Sequence, residues 1–276
     1  MTPLITANQL EEILNSGEEV LLCDCRFDLS DPSAGRKAYK EGHIPGAIYV
    51  DLDKDLSGEK SGLNGRHPLP SPEAWAQTKS RLGIENNILV VAYDQQGSIY
   101  ASRLWWMLRA TGHANVQVLN GGLDTWNGPV STTPLVPTET AQAIPAMPYV
   151  GLVTVDQVLD NLKHQKNILL DARAPDRFQG QNETLDPVGG HIPGALNHCF
   201  RNNLSSNLFK TPEHLFKEFV EILGPIKASE VIHQCGSGVT ACHNLLAMEI
   251  AGLKGSRLYA GSWSEWCADP SRPIER

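Results

Sequence analysis

The stretch Val231-Ile232-His233-Gln234-Cys235-Gly236-Ser237-Gly238-Val239-Thr240-Ala241-Cys242-His243-Asn244-Leu245-Leu246-Ala247-Met248-Glu249-Ile250-Ala251 decides how this chain is read. Its opening apolar run reads as a buried strand, and a helical pattern begins near Thr240. Cys235 stands between them, followed at once by Gly236-Ser237-Gly238. A thiol is thereby placed at the carboxyl end of a strand, in a tight loop that feeds a helix N-terminus. The first N–H groups of a helix lack intrahelical partners, and the helix dipole adds partial positive charge. Anions collect at such a place, and a cysteine there is set up to act as a nucleophilic thiolate. Gly236 and Gly238 let the backbone curl and bring its amides close to the sulfur. A lone cysteine is more often a buried structural thiol, but glycine on both sides of Ser237 is awkward for that reading.

Working outward, the chain repeats itself. Leu21-Leu22-Cys23-Asp24-Cys25-Arg26 recurs as Ile168-Leu169-Leu170-Asp171-Ala172-Arg173, and Gly42-His43-Ile44-Pro45-Gly46-Ala47 recurs unchanged as Gly190 to Ala195. Val90 to Asp94 falls opposite Val231 to Cys235, and Leu119 to Trp126 opposite Tyr259 to Trp266. Two homologous domains of ordinary size are indicated: residues 1–127 and 151–276. Residues 128–150 carry Pro129, Pro134, Pro137, Pro145 and Pro148, a density that breaks helix and strand and reads as a stiff, extended linker. Each copy alternates strand-like with helix-like stretches. The helices expected in the first are Thr6–Asn15, capped by Thr6, then Pro72–Leu82 and Ile99–Thr111; in the second they are Thr154–Lys163, Pro212–Leu223 and Thr240–Ala251. Alternation of this kind predicts an α/β fold, each domain a mostly parallel sheet with helices on both faces. Sites in such sheets lie at the carboxyl ends of strands, where Cys235 falls. The matching position in the first copy is Asp94, which cannot serve as a thiol nucleophile. One catalytic C-terminal domain and one non-catalytic N-terminal domain follow.

Composition narrows the function. Of 276 residues, 41% are apolar and 20% charged, as in an ordinary globular protein. The net charge of −8 argues against nucleic acid as a partner. No apolar run approaches the roughly 18 residues that span a membrane, and Met1-Thr2-Pro3-Leu4-Ile5-Thr6 carries no secretory pattern. The cysteines Cys23, Cys25, Cys199, Cys235, Cys242 and Cys267 form no CxxC pair and no zinc-like spacing. The expectation is a cytoplasmic, reduced, metal-free monomer.

The Asp-x-Arg after each first strand, both Gly-His-Ile-Pro-Gly-Ala segments, Ser102-Arg103-Leu104-Trp105-Trp106, Asn120-Gly121-Gly122 and above all the loop Cys235 to Thr240 resemble the tandem-domain sulfurtransferases of the rhodanese family. The loop is similar to that of 3-mercaptopyruvate sulfurtransferases; the thiosulfate-preferring branch usually carries a basic pair where this chain has Gly236 and Ser237. The resemblance implies that Cys235 takes a sulfur from a small-molecule donor as a persulfide. A thiophile such as cyanide, a thiol or thioredoxin then accepts it, in a two-step covalent scheme without cofactor or metal. It implies that amides of Gly236, Gly238, Val239 and Thr240 hold the negative sulfur, and that Arg177 grips the donor's anionic group. Some mercaptopyruvate enzymes add a second arginine nine residues on, where this chain has Asp186, a feature of the thiosulfate branch. It further implies proton handling by Ser237 with His43 and an aspartate that does not align here. His43 is repeated as His191, so a turn-locking role competes with the catalytic one. Arg26 and Arg173 read as fold-supporting partners of Asp24 and Asp171, and Trp105, Trp106, Trp126, Trp263 and Trp266 as packing. Rival functions are a thiosulfate-preferring enzyme, a phosphatase, disfavoured because the residue six past Cys235 is Ala241 rather than Arg, and a non-catalytic sulfur-sensing or protein-binding module.

Overall fold

Two parallel five-stranded sheets account for the alternation in the sequence. The computed structural model describes residues 2–141, 143–225 and 227–276. The chain divides into two units: one runs up to Gly58 and resumes at Leu69–Val150, and the other combines Glu59–Pro68 with Gly151–Arg276.

In the first unit the elements are β1 (Leu4–Ile5), α1 (Ala7–Ser16), β2 (Val20–Asp24), α2 (Ala34–Glu41), β3 (Ile48–Tyr49), α3 (Pro72–Arg81), β4 (Leu89–Tyr93), α4 (Ile99–Ala110) and β5 (Val116–Leu119). The sheet order is β1-β5-β4-β2-β3, with every pairing parallel. The second unit has β6 (Leu152–Val153), α5 (Val155–His164), β7 (Ile168–Asp171), α6 (Pro175–Phe178), β8 (Leu196–Asn197), β9 (Leu204–Ser205), β10 (Leu208–Phe209), α7 (Pro212–Leu223), β11 (Val231–Gln234), α8 (Thr240–Ile250), β12 (Arg257–Tyr259) and α9 (Ser262–Trp266). Its main sheet, β6-β12-β11-β7-β8, repeats the first order and is again parallel throughout. The central strands β4 and β11 are buried along almost their whole length; β4 reads as an unbroken apolar run, and β11 opens on Val231-Ile232 and buries His233 and Gln234 as well.

Local chemistry starts the helices in the same way in both copies. Thr6 and Thr154 each accept the N–H of the glutamine three residues on, while that glutamine's side chain accepts the cap residue's own N–H, a reciprocal capping box. Helices α3 and α7 begin with a proline after a Ser71 or Thr211 cap, where proline's missing N–H is no loss. Trp105, Trp106, Trp263 and Trp266 are buried packing residues and Trp126 packs partly buried against the core, as expected; Trp75 is a further buried one.

Both repeated motifs find their explanation in one tether. Arg26 forms a bidentate pair with Asp24, and its Nη2 also donates to the Gly42 carbonyl at 2.6 Å. Arg173 does the same with Asp171 and, at 2.8 Å, the Gly190 carbonyl. A buried ion pair at the end of the strand thus holds the start of each His-Ile-Pro-Gly turn. Residues 128–150 belong to the first unit and are pinned to it. Ser131 pairs antiparallel with His43, the N–H of Leu135 donates to the Tyr39 hydroxyl at 2.9 Å, and that of Val150 donates to the Ala110 carbonyl at 2.9 Å. Helix α2 and the β9–β10 hairpin are not among the elements expected from the sequence. Neither signal was strong: α2 spans eight residues and β9 and β10 two each. Among the described residues no helix is long and apolar enough to cross a membrane.

Candidate active site

β11 ends at Gln234, and Cys235 opens the loop to α8. That loop is held from beneath by α9. The N–H of Trp263 donates to the Cys235 carbonyl at 3.0 Å and that of Ser264 to the Gly236 carbonyl at 2.9 Å. The N–H of Cys235 donates to Ser262 Oγ at 3.1 Å. Ser262 adopts a left-handed backbone, φ 55°, a strain that non-glycine residues accept mainly at functional sites. Gly238 is also left-handed, φ 77°, and a Cβ there would overlap the Ala260 carbonyl, so only glycine fits. This turn brings the N–H of Gly238 onto Cys235 Sγ at 3.2 Å. Val239, buried, leads into α8, whose first residue is Thr240.

The first copy shows what such a loop does for an anion. Asp94 is fully buried, and its carboxylate accepts the N–H groups of Gln96, Ser98, Tyr100 and Ala101 at 2.8 to 3.1 Å. The strand-to-helix turn is an amide cradle, and in this copy a carboxylate fills it. Burial nonetheless pushes the Asp94 carboxyl above its ordinary range, with the four amides working against that.

Ser237 does meet a histidine, but not His43. Its Oγ lies 2.8 Å from Nδ1 of His67, and both residues are buried. His43 lies in the first unit, its Nδ1 on the Tyr39 carbonyl at 2.6 Å and its ring stacked on Tyr39 at 3.9 Å. His191 repeats this in the second unit, on the Phe178 carbonyl at 2.9 Å and the Phe178 ring at 3.8 Å. The repeated histidine locks a turn in both copies, and the histidine within hydrogen-bond reach of Ser237 is His67 rather than the candidate His43.

His67 has a neighbour with its own part in the site. Arg66 forms an ion pair with Asp186, and its backbone N–H donates to Ser264 Oγ at 3.0 Å. A Cβ built on Gly236 would lie 2.8 Å from Arg66 Nη2 and 3.6 Å from Arg177 Nη2. Two guanidiniums therefore stand over the loop beside the nucleophile, and glycine at 236 leaves them room. Arg177 is forked onto Glu183, with Nε at 3.1 Å and Nη2 at 2.8 Å, and lies 3.5 Å from Asp186. Arg66 and His67 escaped the sequence reading because they lie in a Gly- and Pro-rich loop that the repeat comparison did not align. Their one visible signal was that lack of a counterpart in the other copy.

Among the described residues no group of His, Cys, Asp and Glu could hold a metal ion. A thiol in an amide turn, a hydroxyl–imidazole pair and partly exposed guanidiniums are the groups that covalent transfer from an anionic donor would use.

The model of the Rhodanese-like domain matches residues 6–128 and again 154–269. The chain belongs to the rhodanese family. Among similar members, a Pseudomonas aeruginosa protein named "Probable 3-mercaptopyruvate sulfurtransferase" is 42% identical over 280 residues, covering 98% of this chain and 97% of its own. Bovine thiosulfate sulfurtransferase is 39% identical over 281 residues, 95% of this chain and 91% of its own. The crystal structure of SseA from Escherichia coli, described as a 3-mercaptopyruvate sulfotransferase with the rhodanese fold, superposes with a TM-score of 0.82 at 30% identity, covering 95% of this chain and 99% of that one. Names on this rhodanese branch thus divide between two donors.

Proposed function

We propose that this rhodanese-family sulfurtransferase takes its sulfur from 3-mercaptopyruvate, through a persulfide on Cys235. The hydrogen bond between Ser237 and His67 carries the choice of donor. Attack by the Cys235 thiolate on the donor sulfur forms an S–S bond and breaks the donor's C–S bond, leaving the electron pair on carbon as the enolate of pyruvate. That leaving group needs a proton. Ser237 can give its hydroxyl proton and draw another from His67, a general-acid task for which the 2.8 Å contact is suited. Thiosulfate releases sulfite, a stable anion that needs no proton donor.

The persulfide's outer sulfur carries negative charge, and the amides of the turn supply its partners. Asp94 in the first copy supports this, since four such N–H groups solvate a carboxylate there. Gly236, Gly238, Val239 and Thr240 supply the backbone of that cradle, and Arg177, at the mouth, meets the donor carboxylate. A thiol or a thioredoxin-like protein then accepts the sulfur, restoring Cys235. We place this chemistry in a reduced, cytoplasmic setting, since no disulfide joins the six cysteines.

Intact-protein mass measurement after incubation with either donor, without acceptor, tests the scheme. The expected result is a gain of one sulfur atom in wild type, faster from 3-mercaptopyruvate, and none in Cys235→Ala. Absence of gain from both donors overturns sulfur transfer; faster loading from thiosulfate overturns the donor assignment.

A further inference from the structure

The guanidiniums beside Cys235 do not form a simple positive patch. Arg66, Arg173 and Arg177 are interleaved with Asp171, Glu183 and Asp186, three cations against three carboxylates. The carboxylates are buried, their side chains at most 4% exposed, whereas Arg66 is 28% and Arg177 21% exposed. An incoming anion therefore reaches two arginines whose charge is already balanced from below.

The contacts differ in how firmly they are made. Glu183 accepts the N–H groups of Leu185 and Asp186 as well as the Arg177 fork, and Arg173 Nη1 stands 3.6 Å away. Four groups thus hold it, and together they keep its carboxyl below the ordinary range against the opposing effect of burial. Among the described residues the ion-pair partners of Asp186 are the two partly exposed arginines, Arg66 directly and Arg177 at 3.5 Å. Its burial outweighs them and raises its carboxyl above the ordinary range. Of the two acids, Asp186 is the one whose arginine can be shared.

We propose that Asp186 acts as a built-in stand-in for the donor's carboxylate: it holds Arg66 in place over Gly236 until a monoanionic donor takes Arg66 from it, and the balanced cluster discriminates against dianionic donors. When the donor's carboxylate binds between Arg66 and Arg177, which both stand over Gly236, Asp186 keeps its contact with Arg177, so no buried charge is abandoned. The exchange leaves one unit of negative charge over a neutral cluster. A dianion such as thiosulfate would leave two, with nothing left to offset the second. This selectivity rests on the sulfur-transfer reading above and assigns Arg66 and Asp186 as its specificity-determining pair.

The test measures kcat/KM with 3-mercaptopyruvate and with thiosulfate, and Cys235 persulfide loading by mass, in wild type, Asp186→Asn, Arg66→Gln and Arg66→Lys. In Asp186→Asn the cluster gains one net positive charge. For screened charges at such range, that should raise kcat/KM by about threefold per unit of donor charge, hence about threefold for 3-mercaptopyruvate and about tenfold for thiosulfate. Arg66→Gln should lower kcat/KM at least tenfold for 3-mercaptopyruvate and more for thiosulfate, through KM. Arg66→Lys should recover part of that loss, which a merely misfolded variant would not do. An unchanged ratio of the two donors in Asp186→Asn overturns the proposal, as does a loss matching that of Arg66→Gln, which would mean that Asp186 only positions Arg66. Arg66→Gln within twofold of wild type overturns it as well. Failure of wild type itself to load from either donor overturns the sulfur-transfer reading, and with it this one.

Discussion

Ser237 Oγ and His67 Nδ1 lie 2.8 Å apart although 170 positions separate the two residues in the chain. If this pair delivers the proton to the leaving enolate, Ser237→Ala and His67→Ala should each lower kcat with 3-mercaptopyruvate by about 10²- to 10³-fold. With thiosulfate the loss should be under tenfold, because sulfite leaves without a proton. The double variant should be little worse than either single one, since both remove the same relay. Steady-state kinetics with the two donors measures all of this; equal losses on both donors would remove the relay from the mechanism.

Cys235 is buried, and its Sγ accepts the N–H of Gly238 across the turn. Cys235→Ala should abolish sulfur loading while shifting the melting temperature by only a few degrees, equivalent to about 1 kcal/mol. Differential scanning calorimetry beside the mass measurement separates loss of the nucleophile from loss of the fold.

Arg177 meets solvent at its outer edge while its inner edge is forked onto Glu183. Arg177→Ala should raise the donor KM about tenfold or more through the lost charge-assisted contact, with a smaller effect on kcat. An unchanged kcat/KM would take Arg177 out of the donor site.

Asp94 is the single acceptor for four backbone N–H groups in the first unit. Asp94→Ala strands them in the interior and should destabilise that unit by about 2–4 kcal/mol, seen as an earlier urea transition, with Asp94→Asn costing less. Sulfur loading on Cys235 should survive under native conditions.

His233 sits fully buried in β11, its Nε2 3.1 Å from Met248 Sδ, and burial pushes its pKa down to about 3. In the unfolded chain the same imidazole titrates near 6.5. Between those values the unfolded state binds a proton that the native state refuses, so stability rises with pH. The contribution is fully present above about pH 6.5 and is lost as pH falls toward 3, at about 1.4 kcal/mol per pH unit. Urea titrations between pH 6.5 and 4 should show this slope in wild type and a flatter one in His233→Leu.

The fold could be read from the sequence because local chemistry and global pattern agree in it. Thr6 and Thr154 announce their helices through a glutamine three residues on, and Pro72 and Pro212 mark the starts of two more. The apolar run of β4 and the Val231-Ile232 start of β11, alternating with helical stretches, fit central parallel strands. Cys235 was legible because its loop has glycines at fixed spacing, and the duplication exposed Asp94 as its counterpart. The relay was not, because a hydrogen bond across 170 residues leaves no periodic trace. The resemblance pointed to His43, whereas the duplication, by setting His43 and His191 side by side, pointed to the turn-bracing role that both have, against Tyr39 and Phe178.

The ten residues Glu59–Pro68 belong to the second unit although the first unit's sequence encloses them. A gene fragment beginning at Gly151 would therefore encode the nucleophile without its histidine or Arg66. A fragment ending at Val150 would encode those two without the nucleophile. If Cys235 and His67 work together as proposed, the tandem cannot be cut into one working half and one dispensable half, even though only one copy carries a thiol at the key position. The aspartate-bearing copy would then stay in frame with Cys235 as the stretch of chain that encloses His67.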